Sequence, residues 1–293
     1  MTTSDALELD AIGTRWRIDA DRPLTPHATA IAALLDDYDR AWSRFRADSL
    51  VATIAREGGT HPLPAAGERL LALYDELHEV TGGAVTPLVG AALEHHGYDA
   101  DYALAPRPGP PPPVADWRAT VTWDATSLHA SAPVLLDVGA AGKGQLVDLV
   151  GALLVERGVP SFVVDAGGDL LRRAPADAAP LRVALEHPGD PAQAIGVVEV
   201  GHGALAASAV NRRAWADRHH VLDGRDGRPT GEVVATWAVA DEALLADGLA
   251  TALFFVGPEE LAARFPCAGV RVLADGRAEW SSRWPGELFL AGR

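Results

Sequence analysis

Two oxygen-bearing side chains stand four residues apart in the apolar stretch "LLADGLATAL": Asp247 and Thr251. On a helix that spacing puts both on one face. Leucine and alanine surround the pair, and an unpaired carboxylate is expensive to bury. A hard cation would satisfy both groups, because Mg²⁺ takes oxygen ligands. A surface aspartate and a threonine bonded back to its own helix would show the same spacing.

Four other stretches carry groups of chemical use. "LLDVGAAGKGQLVDLVGALL", residues 135–154, runs from an apolar segment through a glycine-rich turn with Lys143 into an amphipathic segment. Gly139, Gly142 and Gly144 permit close backbone approach, and a following helix would point free N–H groups into the turn. The spacing fits neither a Walker loop nor the dinucleotide fingerprint. A plain strand–helix connection with a solvated lysine also accounts for it. In "RHHVLDGRDGRP" the Asp-Gly pairs and Pro229 predict a turn. A pairing of histidine with Asp223 would orient an imidazole for proton transfer; exposed histidines on a hairpin are the alternative. "TGGAVTPLVG" offers a narrow backbone strip at Ala84, Val85 and Thr86, or an ordinary helix cap before Pro87. In "VVDAGGDLL", Gly167 and Gly168 bend a strand end beside Asp169, and a bulge explains them without function.

The elements that must hold these groups mix helix and strand. "GTRWRID" alternates as a strand. Ile31, Leu34, Leu35, Tyr38, Trp42 and Phe45 fall at helical steps, as do Leu70, Leu73, Tyr74, Leu77 and Val80, ahead of a glycine cap at Gly82 or Gly83. "SFVVDAG", "LRVALEH", "IGVVEV", "VVATWAVA" and "GVRVLADG" read as strands. "EALLADGLATALFFVG" reads as a buried helix, and "PEELAARF" starts another with proline at its head. "PRPGPPPP", residues 106–113, is a surface connection. Without a regular βαβ alternation the expected class is α+β, mixed sheets with packed helices, in one domain over residues 1–293.

The chain has 293 residues, 48% of them hydrophobic, enough for a sizeable core. A net charge of −15 argues against nucleic-acid partners. One cysteine, Cys267, excludes an intramolecular disulfide and a cysteine-rich metal site. The acidic "MTTSDALELD" does not read as a signal peptide, and no apolar run is long enough to span a bilayer, so the expectation is a cytoplasmic protein without membrane insertion.

Taken in order, these stretches resemble the FAD:protein FMN transferase family, the ApbE-like flavin transferases. The family pattern appears as "GTRW", "WSRFRADS", "TGGAVTPLVG", "LDVGAAGKGQLVD", "VVDAGGDL", "HVLDGRDGRP" and "ADGLATALFFVG", across nearly the whole chain. The resemblance implies a Mg²⁺-dependent enzyme that cleaves FAD. It places FMN on a threonine hydroxyl of an acceptor protein and releases AMP. It implies that Asp247, Thr251 and the Ala140 carbonyl bind the metal. It assigns flavin contacts to Ile12, Phe45, Ala84, Val85, Thr86, Lys143 and Val221, and makes His220 the base for the acceptor's proton. The sequence departs from the family at Thr86, Gln145, Asp165, Ala207 and Gly224, near the flavin and the acceptor approach. Alternatives are a metal-dependent FAD pyrophosphatase releasing FMN and AMP, and a non-catalytic FAD-binding protein.

Overall fold

The computed structural model describes residues 5–215 and 218–289. Its centre is an eight-stranded sheet. The strands are β1 (Asp5–Ala11), β2 (Thr14–Ala20), β3 (Phe162–Asp165), β4 (Asp169–Arg173), β5 (Gly203–Ala209), β6 (Val233–Ala240), β7 (Cys267–Leu273) and β8 (Ala278–Trp280). Strand order across the sheet follows chain order, and every neighbouring pair is antiparallel. The α+β class is as expected. Residues 1–4 of the acidic opening lie outside the described residues, and the rest of it is β1.

Side-chain alternation gives the sheet two cores. Leu171, Ala204, Ala206, Ala238 and Ala240 face the helices. Leu170, Leu205, Trp237, Val270 and Val272 face a small sheet of Leu181–His187, Asp190–Val200 and Gly286–Leu288. The alanines on the helix side explain β5, which the sequence reading did not anticipate. "GALAASA" has weak strand propensity of its own. Its place between β4 and β6, under a closely packed helix, decides its state.

The longest helices in the first of these cores are α1 (Ala28–Trp42), α2 (Gly67–Val80), α3 (Gly142–Glu156) and α4 (Ala243–Ala252). The stripe read through Phe45 breaks earlier, because α1 ends at Trp42 and Ser43 turns extended. The segment after the glycine turn buries one face: α3 buries Leu146, Val147, Val150 and Leu154 together with its glycines, while Ala152, Val155 and Glu156 are exposed. It is enclosed by α1, α4, β3 and β4. "EALLADGLATALFFVG" is helical only through Ala252, with Phe254 and Phe255 in the turn beyond. α2 ends as expected, with Gly82 and Gly83 at φ 59° and 90°. Residues 106–113 form no helix or strand and are mostly exposed. Among the described residues no helix is long and apolar enough to cross a membrane.

Candidate functional site

Helices α3 and α4 are joined at two points. The Gly144 N–H donates to the Asp247 carboxylate at 2.9 Å. Asp148 accepts from the Ala243 and Leu244 N–H groups at 2.9 and 2.8 Å, capping α4 from the side of α3. The approach needs Gly144, since a Cβ there would lie 2.1 Å from the Ala243 carbonyl oxygen. This corrects the reading of the turn. Gly144 makes room for α4, while Gly142, close to Val138 and Tyr38, and Gly139 border the cavity described next. Two of the first N–H groups of α3 are also taken, Gly142 by the Val138 carbonyl and Gly144 by Asp247.

The contact sets the polar floor of a cavity of about 810 Å³, within the usual range for a small-molecule site. The Thr251 hydroxyl donates to the Ala140 carbonyl at 3.2 Å, across from α4, and not to its own helix. Asp247 is buried. Burial, then the charge of Asp169, pushes its carboxyl well above the usual range, partly opposed by Lys143 and the Gly144 N–H. Lys143, at the start of α3, is mostly buried rather than a free surface charge. Its ammonium lies 3.0 Å from Asp169, which is fully buried.

The opposite wall is apolar and aromatic. Phe45 stacks on Tyr102 with ring centroids 5.2 Å apart and meets Tyr98 edge-on at 5.5 Å. The Arg44 guanidinium lies over Phe45 at 4.1 Å and Tyr98 at 4.8 Å. Its Nε donates to Asp137 at 2.6 Å, while its two terminal nitrogens are buried without a hydrogen bond among the described residues. This pair ties the "WSRF" stretch to the loop before α3. Ile12 stands at φ 44° beside Gly13 at φ 74°, in the two-residue turn between β1 and β2. A β-branched residue there is strained.

Ala84, Val85 and Thr86 follow the end of α2 as a buried strip. The 223–227 turn docks on it: the Gly224 N–H donates to the Ala84 carbonyl at 2.8 Å. This places His220 and Val221 on the cavity wall. His219 turns away and donates from Nε2 to the Thr230 carbonyl at 2.8 Å. Burial lowers its pKa, partly opposed by that bond. Of the two readings of this segment, the pairing of a histidine with Asp223 is not seen among the described residues; Arg225 binds that carboxylate at 2.8 Å. Leu222–Asp223 and Arg228–Pro229 do pair as a short hairpin. The residues 165–169 are a hairpin turn and not a bulge, with Gly167 and Gly168 at φ 67° and 117°.

The structure gathers every site residue named from the sequence around this cavity: Ile12, Phe45, Ala84, Val85, Thr86, Ala140, Lys143, His220, Val221, Asp247 and Thr251. The sequence reading missed four others. Asp169 was singled out only as a turn neighbour, and Arg44 lay inside a quoted motif with nothing to mark its burial. Asp137 and Tyr98 carried no signal, because their partners come from distant segments. Gln145 bridges two elements, accepting from the Tyr38 hydroxyl at 2.9 Å and donating to the Ala66 carbonyl at 2.7 Å.

Fold and cavity together define an α+β protein with a deep ligand site, apolar at the mouth and acidic at the floor. The model of the ApbE family matches residues 12–270, and the chain belongs to that family. It is 27% identical over 249 residues to the FAD:protein FMN transferase of Vibrio cholerae, covering 79% of this chain and 73% of that one. It is 26% identical over 281 residues to the protein of the same name from Klebsiella pneumoniae, covering 88% and 80%. The flavin transferase ApbE structure from Vibrio cholerae superposes with a TM-score of 0.78 at 24% identity, over 96% of this chain and 98% of that one. An ApbE protein from Thermotoga maritima gives 0.80 at 23% identity, over 96% and 97%.

Proposed function

We propose that the chain is a Mg²⁺-dependent FAD:protein FMN transferase that places FMN on a threonine hydroxyl of an acceptor protein and releases AMP. Family membership and the names of its relatives support flavin transfer. The observation that carries the rest is the meeting of Asp247, Thr251 and the Ala140 carbonyl at the floor of the cavity that His220 lines. The donor set suits a hard cation: one carboxylate, one hydroxyl and one carbonyl, all oxygen. Among the described residues no three His, Cys, Asp or Glu side chains gather for a metal. A cation held here therefore relies on main-chain and hydroxyl oxygens plus a single acid. A Mg²⁺ held by Asp247, Thr251 and the Ala140 carbonyl would supply charge neutralisation for the pyrophosphate.

The protein supplies positioning, which dominates phosphoryl transfer. Lys143 has three N–H donors, and the ion pair with Asp169 leaves others for phosphate oxygens. Phe45, Ile12 and the strip at Ala84–Thr86 offer apolar surface and backbone for a flat ring system. His220 takes the proton of the acceptor hydroxyl as its oxygen bonds to the FMN phosphorus. The bridging P–O bond of FAD breaks, and AMP leaves with that oxygen.

The test uses purified acceptor protein and FAD, with in-gel flavin fluorescence reading the covalent product. Replacing His220 with Asn should slow transfer by roughly 10²–10⁴-fold with FAD binding retained. His219→Asn should leave transfer nearly unchanged. Free FMN without labelled acceptor would make the protein a pyrophosphatase, intact FAD would make it a binder, and unimpaired His220→Asn would remove the base.

A further inference from the structure

Asp169 is fully buried, yet the sequence offers it only as the residue after two glycines. The turn explains how it gets there. Gly167 and Gly168 take positive φ, and the Ala166 N–H donates to the Asp169 carbonyl at 2.9 Å, so β4 starts on the acid itself. Alternation then puts Asp169 on the face of Leu171, toward α3 and α4. There it meets Lys143 at 3.0 Å and stands beside Asp247.

Three ionisable groups thus share one buried space: two carboxylates and one ammonium. A lysine in the first turn of a helix is opposed by the helix dipole and needs an anion nearby. Two anions are within its reach. The ammonium pairs with Asp169, and among the described residues Lys143 makes no ion pair with Asp247. Asp247 instead accepts the Gly144 N–H, lies against the Asp169 carboxyl and borders the cavity. If the ammonium moved to Asp247, it would neutralise the only acid among the three oxygen donors at the floor.

We propose that Asp169 is a positioning residue that reserves Lys143, keeping the ammonium off Asp247 so that this carboxylate stays available to a divalent cation. The inference rests on reading the floor of the cavity as a cation site. It adds that the two acids divide the labour, Asp169 for the lysine and Asp247 for the metal. Lys143 is thereby held at the cavity edge, where it also meets an anionic ligand.

The division can be tested without turnover, using Mn²⁺ as the probe, with free Mn²⁺ followed by electron paramagnetic resonance and folding followed by thermal melting. Asp169→Asn releases the lysine and should weaken Mn²⁺ binding by about 10–100-fold, the usual cost of losing a residue that supports a metal ligand. The double variant Asp169→Asn, Lys143→Met removes the competitor too, and should bind Mn²⁺ more tightly than Asp169→Asn alone. A merely structural role for Asp169 predicts no such rescue. Lys143→Met alone should bind Mn²⁺ at least as tightly as the native protein while losing affinity for FAD, read by quenching of flavin fluorescence. If Asp169→Asn fails to fold, Lys143→Met still decides: weaker Mn²⁺ binding overturns the proposal. Native Mn²⁺ affinity in Asp169→Asn, or no rescue in the double variant, overturns it while leaving the cation site intact. No Mn²⁺ binding by the native protein overturns the cation reading and the proposal with it.

Discussion

The floor and the mouth of the cavity are built differently. The floor stands on regular elements: Asp247 and Thr251 on α4, Lys143 on α3, Asp169 at the start of β4. Asp247 and Asp169 are buried, and hydrogen bonds from main-chain N–H groups of each helix to aspartate side chains of the other fix it. The mouth is made of turns. Ile12 and Tyr102 have φ of 44° and 50°, and Tyr102 is 49% exposed. Groups that must meet phosphate charge within a fraction of an ångström belong on rigid elements, while surfaces that admit a large ligand belong on loops. Damage at the floor should therefore appear in the rate, and damage at the mouth in affinity.

The largest effect is expected at Asp247. Asp247→Ala removes the one acid among the proposed cation donors and should lower transfer by three orders of magnitude or more, since metal charge stabilisation is worth several kcal/mol. The fold should survive, because a buried acid is lost together with one hydrogen bond. Transfer at more than a tenth of the native rate, measured at saturating Mg²⁺, would break the assignment of chemistry to the floor.

Asp148 comes next and reads the floor through stability. Burial pushes its carboxyl up to about 6, against 3.8 normally, with the Ala243 and Leu244 N–H groups opposing the rise. A raised folded-state pKa means the folded protein holds the proton more tightly. The stabilisation is complete below pH 3.8 and is lost as pH rises through about 6. The displacement corresponds to about 3 kcal/mol. Melting temperatures of native protein and Asp148→Asn should diverge between these limits, the native protein losing several degrees more on going to pH 7. Parallel profiles would show that Asp148 is not the acid that titrates under α4.

At the mouth, Phe45→Ala should raise the KM for FAD by about tenfold with kcat within about twofold, the worth of one aromatic stack. A fall in kcat as large as the rise in KM would erase the contrast between the two regions. The smallest effect is expected at Ile12. Asparagine accepts positive φ far more readily in a two-residue turn. Ile12→Asn should raise stability by about 1 kcal/mol in denaturant titration while weakening FAD binding several-fold. Unchanged FAD affinity would mean that the strain serves the hairpin alone.

Two departures from the family pattern meet in space. A Cβ at Gly224 would lie 2.5 Å from the Thr86 Cγ2 and within 3 Å of the carbonyl oxygens of Gly83 and Ala84. A proline at Gly224 would also lack the N–H that binds Ala84. The two positions must therefore be read as a pair, which the spacing of separate motifs does not reveal.

Local physics made much of this protein legible in its sequence. Alternation marked β2, short runs of strand-forming residues marked β3, β6 and β7, a period of 3.6 marked α1 and α2, and glycines marked the end of α2 and the Asp-Gly hairpin. The spacing of Asp247 and Thr251 already placed them on one helical face, and motif order tied them to His220 and Lys143. What the sequence could not carry was non-local. Strand β5 is alanine-rich and owes its state to its neighbours. Gly144 looked like room for a ligand and proved to be room for α4, whereas Gly142 borders the cavity. Lys143 read as either a solvated charge or a ligand contact, and only the arrival of Asp169 from β4 shows it as one partner of a buried ion pair. Spacing along a chain fixes which residues share a face of their own element. Which charges are desolvated, and which of two acids a lysine chooses, depends on what packs against that face.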